Sequence, residues 1–84
     1  MFSQRFQREV ILTRHARLRM QERQMDEALL LDVIDTGDTR YKDDTHLCAY
    51  KQFPQRDDNL LCAVLVLEDC LIVKTVMHHF QLED

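Results

Sequence analysis

"LLCAVLVL", residues 60–67, is apolar at every position. A strand with one wet face would alternate. An unbroken apolar run bounded by polar turns reads instead as a strand buried on both sides, in the centre of a sheet. Upstream, "THLCAYKQF" (45–53) does alternate: His46, Cys48 and Tyr50 take one face, Leu47, Ala49 and Lys51 the other. "PQRDDN" between them is a loop opened by Pro54. Downstream, "EDC" turns the chain into a last strand, "LIVKTVMHH" (71–79). Strict alternation there puts Lys74 and His78 on one face with Ile72 and Val76, and Thr75, Met77 and His79 on the other. Three strands in succession form an antiparallel meander with residues 60–67 in the middle.

The N-terminal half has a different period. "EVILT" (9–13) is a short strand of β-branched and apolar residues. Thr13 then reads as an N-cap whose hydroxyl accepts an orphan amide hydrogen of the first turn. Good helix formers follow from Arg14, with Ala16 and Met20 on one narrow apolar stripe and Leu18 pointing away from it. "QMDEALLLDVIDTGD" (24–38) is a second helix. Asp26 and Glu27 suit its positive end, and Leu29, Leu30, Val33 and Ile34 recur near 3.6 residues. Gly37 is expected to close it with a positive φ. Strand, two helices and meander predict an α+β domain over residues 9–80. Two N-terminal helices pack on one face of a curled, mainly antiparallel sheet, between a frayed tail (1–8) and an acidic tail (81–84). The uncovered face is then expected to curl or to dimerise.

At 84 residues there is room for one core, and 45% apolar with 31% charged residues fits a globular domain. A single glycine excludes a glycine-rich phosphate loop. No stretch is apolar enough to span a bilayer or serve as a secretory signal, so no membrane partner is expected. Three widely spaced cysteines, Cys48, Cys62 and Cys70, suit reduced thiols in a cytoplasm and read as small core residues. His46, Cys48, Cys62, His78 and His79 lack the local pairs that structural zinc uses, so no metal site is expected.

The net charge of −4 hides an asymmetry. Residues 1–25 hold six arginines against Glu9 and Glu22, a net +4; the rest holds five Lys/Arg against thirteen Asp/Glu, a net −8. Four arginines sit in "TRHARLRMQER" (13–23). On a helix, His15, Arg19 and Arg23 fall at i, i+4 and i+8 and make one ridge. Stacked like charges repel unless an anion lies between them. Arginine matches phosphate oxygens in bidentate geometry. Two occupants fit the ridge: a phosphate, or a carboxylate of the next helix, Asp32 or Asp35. His15 is either a proton-transfer group whose ordinary pKa suits neutral pH or a histidine bonded to the sheet. Lys74, among apolar neighbours, is either a cleft-rim cation or an edge-strand lysine that discourages aggregation.

The stretch "LTRHARLRMQERQMDEALLLDVIDTGD" (12–38) resembles the opening of a small bacterial domain family of unknown function, with a strand, His-Ala-x-x-Arg-Met-x-x-Arg, and an acidic-capped helix ending in Gly. That family is grouped with the RelE-like toxin superfamily, alongside BrnT and the colicin-type ribonucleases. The resemblance implies a RelE-like α+β fold and metal-independent RNA cleavage through a 2′,3′-cyclic phosphate, with no cofactor and with an antitoxin or other protein partner masking the site. Carried onto this chain, His15 would take the 2′-hydroxyl proton and Arg19 and Arg23 would hold the phosphate. Beyond the residues that match, Lys74 or His78 of the last strand is expected to protonate the leaving oxygen, and Arg14, Arg17, Arg19 and Arg23 are the expected RNA-binding set. The other expectation is a catalytically inactive module of the same fold that binds protein or RNA, with a homodimer through the sheet as one arrangement.

Overall fold

A computed structural model describes residues 1–53 and 60–78, His78 by its backbone alone. The expected loop at 54–59, His79, the domain boundary at Phe80 and the acidic tail 81–84 lie outside the described residues. The elements run β1 (Phe2–Ser3), β2 (Arg8–Leu12), α1 (Arg14–Glu22), α2 (Glu27–Thr36), β3 (Asp38–Tyr41), β4 (His46–Gln52), β5 (Leu60–Leu67) and β6 (Leu71–His78). They form one α+β layer pair: a six-stranded sheet in the order β1-β2-β6-β5-β4-β3, with both helices against one face.

β5 lies between β4 and β6, as its unbroken apolar run requires, and Leu61, Ala63 and Leu65 are fully buried under the helices. Leu47 and Ala49 of β4 join them, as do Leu30, Val33 and Ile34 of α2 and Ala16 and Met20 of α1. Thr13 caps α1: its Oγ1 accepts from the Ala16 amide at 3.0 Å. Asp26 caps α2 through the Leu29 amide at 2.8 Å. The turn between the helices is a Schellman motif. The Met25 amide donates to the Met20 carbonyl at 2.9 Å, Gln24 sits at φ 54°, and Met20 and Met25 are both buried.

Four expectations need correction. Residues 1–8 are not a frayed tail: β1 pairs with β2, and Ser3 is fully buried with its hydroxyl donating to Asp35 Oδ1 at 2.6 Å. The helices are therefore preceded by two strands, not one. After them comes β3, a polar edge strand paired with β4 that adds a fourth strand to the meander. The sheet is mainly antiparallel, as expected, but β2 runs parallel to β6. This order departs from the strand-helix-helix-meander arrangement expected of a RelE-like fold. Gly37, finally, has φ −74° and ψ 172°, so positive φ is not why glycine stands there. A Cβ at that position would lie 2.5 Å from the carbonyl oxygens of both Tyr50 and Val33. Close approach of backbone to backbone demands the glycine.

The alternation expected of the last strand also breaks. β6 pairs Val73 with Leu65 and Val76 with Ala63, and the register slips between Val64 and Leu65. Lys74 is the extra residue of this bulge. The slip turns Val76 inward, where it is 1% exposed, in place of Thr75. Lys74 is thereby exposed on the face away from the helices, so it does not share a face with Val76.

Candidate nucleic-acid interface

α1 leaves the sheet where β2 ends. The Thr13 amide donates to the Val73 carbonyl at 3.2 Å and the Thr13 hydroxyl to the Lys74 carbonyl at 3.0 Å. These two bonds fix the first turn of the helix beside the β6 bulge. With Ala16 and Met20 facing the core, about 100° per residue places Arg14, His15 and Leu18 on the outward arc and Arg17 and Arg19 at its borders. Arg14, His15, Arg17 and Leu18 are all exposed. Among the described residues, Arg14, His15 and Arg17 have no side-chain hydrogen-bond or ion-pair partner.

The lower end of the ridge differs. Arg19 Nη1 bonds Glu22 Oε2 at 3.1 Å, and Arg23 Nη1 lies 3.9 Å from the same oxygen. The Arg23 side chain is only 18% exposed, against 41% for Arg19 and 58% for Glu22. A carboxylate does lie between the stacked guanidinium groups, and it comes from α1 itself. Asp32 is held by Lys51, whose Nζ is 3.0 Å from Oδ2, and Asp35 by Ser3. The Lys51 hydrogen bond draws the Asp32 carboxyl below its ordinary pKa. Exposed ion pairs such as Arg19–Glu22 contribute about 0–1 kcal/mol, so a backbone phosphate that accepts two bonds from the guanidinium can compete for Arg19.

Two described concavities bear on the site. A groove of about 360 Å³ beside α1 is lined by Arg17, Met20, Gln21, Met25, Asp26 and neighbours. A larger one of about 530 Å³ on the open sheet face takes in Lys74 with Arg40, Lys42, His46, Cys48, Val64 and Val66. His15 and Arg19 line neither, so neither concavity unites them with Lys74. His78 holds the register position opposite Leu61. Arg40, Lys42 and His46 were missed as site residues because they belong to β3 and its hairpin; the alternation of Thr39 and Tyr41 ahead of "KDDTH" was the available signal.

The hairpin is built on Asp43. Its Oδ1 accepts from the Thr45 and His46 amides at 2.9 and 2.8 Å and lies 2.9 Å from His46 Nδ1. These bonds hold the Asp43 carboxyl far below the usual carboxylate range, the Thr45 amide contributing most. Nearby, burial beside Cys48 pushes the Cys62 thiol up to about 12, which makes it a poor nucleophile. The three cysteines form no disulfide, and among the described residues no three His, Cys, Asp or Glu side chains converge as metal ligands.

The family model for a domain of unknown function, DUF4258, matches residues 12–78. The chain belongs to this family. The matched span begins at the end of β2 and takes in α1, α2 and β3–β6, so the DUF4258 unit includes both the α1 ridge and the open sheet face. None of the curated proteins and none of the solved structures compared with the chain matches it. Among the described residues no helix is long and apolar enough to cross a membrane.

Proposed function

We propose that this chain is an RNA-binding protein, gripping the phosphate backbone with the outward arc of α1. The observation that carries this reading is that Arg14, His15 and Arg17 stand exposed with no partner among the described residues. Arg19 extends the strip, restrained only by an exposed glutamate. Arg23, largely covered, supports the ridge through Glu22 more than it contacts RNA. Cationic side chains clustered on one helix of an acidic protein give a local field that attracts polyanions while the rest of the surface repels them. The test is fluorescence anisotropy with a short single-stranded RNA. Arg14→Glu with Arg19→Glu should weaken binding roughly tenfold or more at low salt. Unchanged affinity in a folded variant contradicts the proposal.

Metal-independent ribonuclease activity is the second reading. It is favoured by the Thr13–Lys74 bond, which fixes the helical turn carrying His15 beside the bulge that carries Lys74. In this reading His15 accepts the 2′-hydroxyl proton, Arg19 stabilises the phosphorane, and the leaving oxygen takes its proton from water, because Lys74, expected in that role, stands on the sheet face away from the helices. Purified protein should then yield 2′,3′-cyclic phosphate ends, and His15→Ala should abolish them while RNA binding persists. Equal cleavage by the variant removes the mechanism.

A further inference from the structure

The α1 strip leaves the concave open face of the sheet unused. There Arg40 pairs across to Cys48, Cys48 to Val64, and Val64 to Thr75, beside which the bulge sets Lys74. One row thus runs from cation to cation over four strands, about 14 Å at ~4.8 Å per strand. Lys42 extends the wall on the β3 side, while Cys48, Val64 and Val66 form an apolar floor. Lys42 and Lys74 have no side-chain partner among the described residues. His46 lies 2.9 Å from the Asp43 carboxylate, so the pair adds no net positive charge to the wall.

We infer that this trough is the docking site for an amphipathic helix of a partner protein, one with an apolar stripe flanked on both sides by acidic residues. Size and charge both select it. A helix with its side chains is about 10–12 Å wide, which the ~14 Å between the cationic walls admits. On β5 the open floor is Val64 and Val66, roughly 7 Å apart along the strand, which meets one to two helical turns. An apolar stripe meets Val64 and Val66, and carboxylates on its two flanks reach Lys74 on one wall and Lys42 with Arg40 on the other. The floor is aliphatic, which disfavours single-stranded RNA, since bases bind such platforms by stacking on aromatic rings. This surface is separate from the α1 strip, so either proposal can fail alone.

The test uses a fluorescein-labelled helical peptide of about 16 residues, with leucines at i, i+3, i+4 and i+7 and glutamates on both flanks. A scrambled peptide and a lysine-flanked peptide are the controls. The acidic amphipathic peptide should bind roughly tenfold tighter than the scrambled one, and the lysine-flanked version should not bind. Val66→Glu should abolish binding. Should that variant misfold by circular dichroism, the surface double variant Lys42→Glu with Lys74→Glu must still weaken binding about tenfold. Arg14→Glu with Arg19→Glu should leave peptide binding unchanged. Equal binding of the scrambled peptide, displacement by a uridine oligonucleotide, or a homodimer of the chain that Val66→Glu dissociates would each overturn the proposal.

Discussion

The six arginines among the first 25 residues fall into two groups that the structure treats differently. Before α1, they are fastened to backbone. Arg5 Nη1 donates to the Ile34 and Gly37 carbonyls at 3.3 and 2.5 Å, closing the C-terminus of α2. Arg8 reaches the Glu68 carbonyl at 3.1 Å, pinning β2 to the β5–β6 turn. On α1, Arg14 and Arg17 have no partner among the described residues, and Arg19 has an exposed one. One charge type thus serves two purposes within a short span. The formal +4 of this segment therefore overstates the donors left for a ligand, because those of Arg5 and Arg8 are already used.

Mutations at the fastened end should cost stability, and those at the open end should not. Gly37→Ala should have the largest effect, about 3 kcal/mol, because the new methyl group meets two backbone oxygens that cannot withdraw. Chemical denaturation measures it; a loss below about 1 kcal/mol would show that the α2–β4 approach can relax. Arg5→Ala should follow at roughly 1.5–3 kcal/mol, the cost of losing charge-assisted bonds to part-buried carbonyls. Arg14→Ala or Arg17→Ala should stay within about 0.5 kcal/mol. A melting-point drop for Arg14→Ala equal to that for Arg5→Ala would erase the distinction. One change is a gain. Gln24→Gly should stabilise by about 0.5–1 kcal/mol, because Gln24 holds a left-handed conformation at the end of α1. That variant also checks that α1 can be made firmer without touching its charged arc.

The central elements were legible because their physics is one-sided. An all-apolar strand has no place but the middle of a sheet, and the α2 leucines and valine show their face by spacing alone. β1 and β3 were hidden because edge strands need little apolar content: Asp38, Arg40 and Tyr41 are exposed and pair on one side only. The bulge at Lys74 left no glycine to announce it. It is a choice between burying Val76 and burying Thr75, and only packing decides that. Of the row expected on α1, Arg19 and Arg23 lie against one carboxylate while His15 stands apart on the outward arc, and that carboxylate does not come from the next helix. Asp32 and Asp35, the expected partners, are taken by Lys51 and Ser3, and Glu22 on the same helix lies against Arg19 and Arg23 instead. Arg40 and Lys42 became site candidates only when β3 brought them across from Lys74.

The most direct measurement is the salt dependence of RNA affinity across single arginine-to-glutamine variants. Replacing Arg14, Arg17 or Arg19 should each lower the slope of log K against log salt by about 0.7, the share of one phosphate contact on a single strand. Replacing Arg5, Arg8 or the largely covered Arg23 should leave the slope as it is, whatever it does to the melting temperature. Equal slopes for all six variants, or a loss confined to Arg5 and Arg8, would contradict the assignment of α1 as the surface that meets RNA.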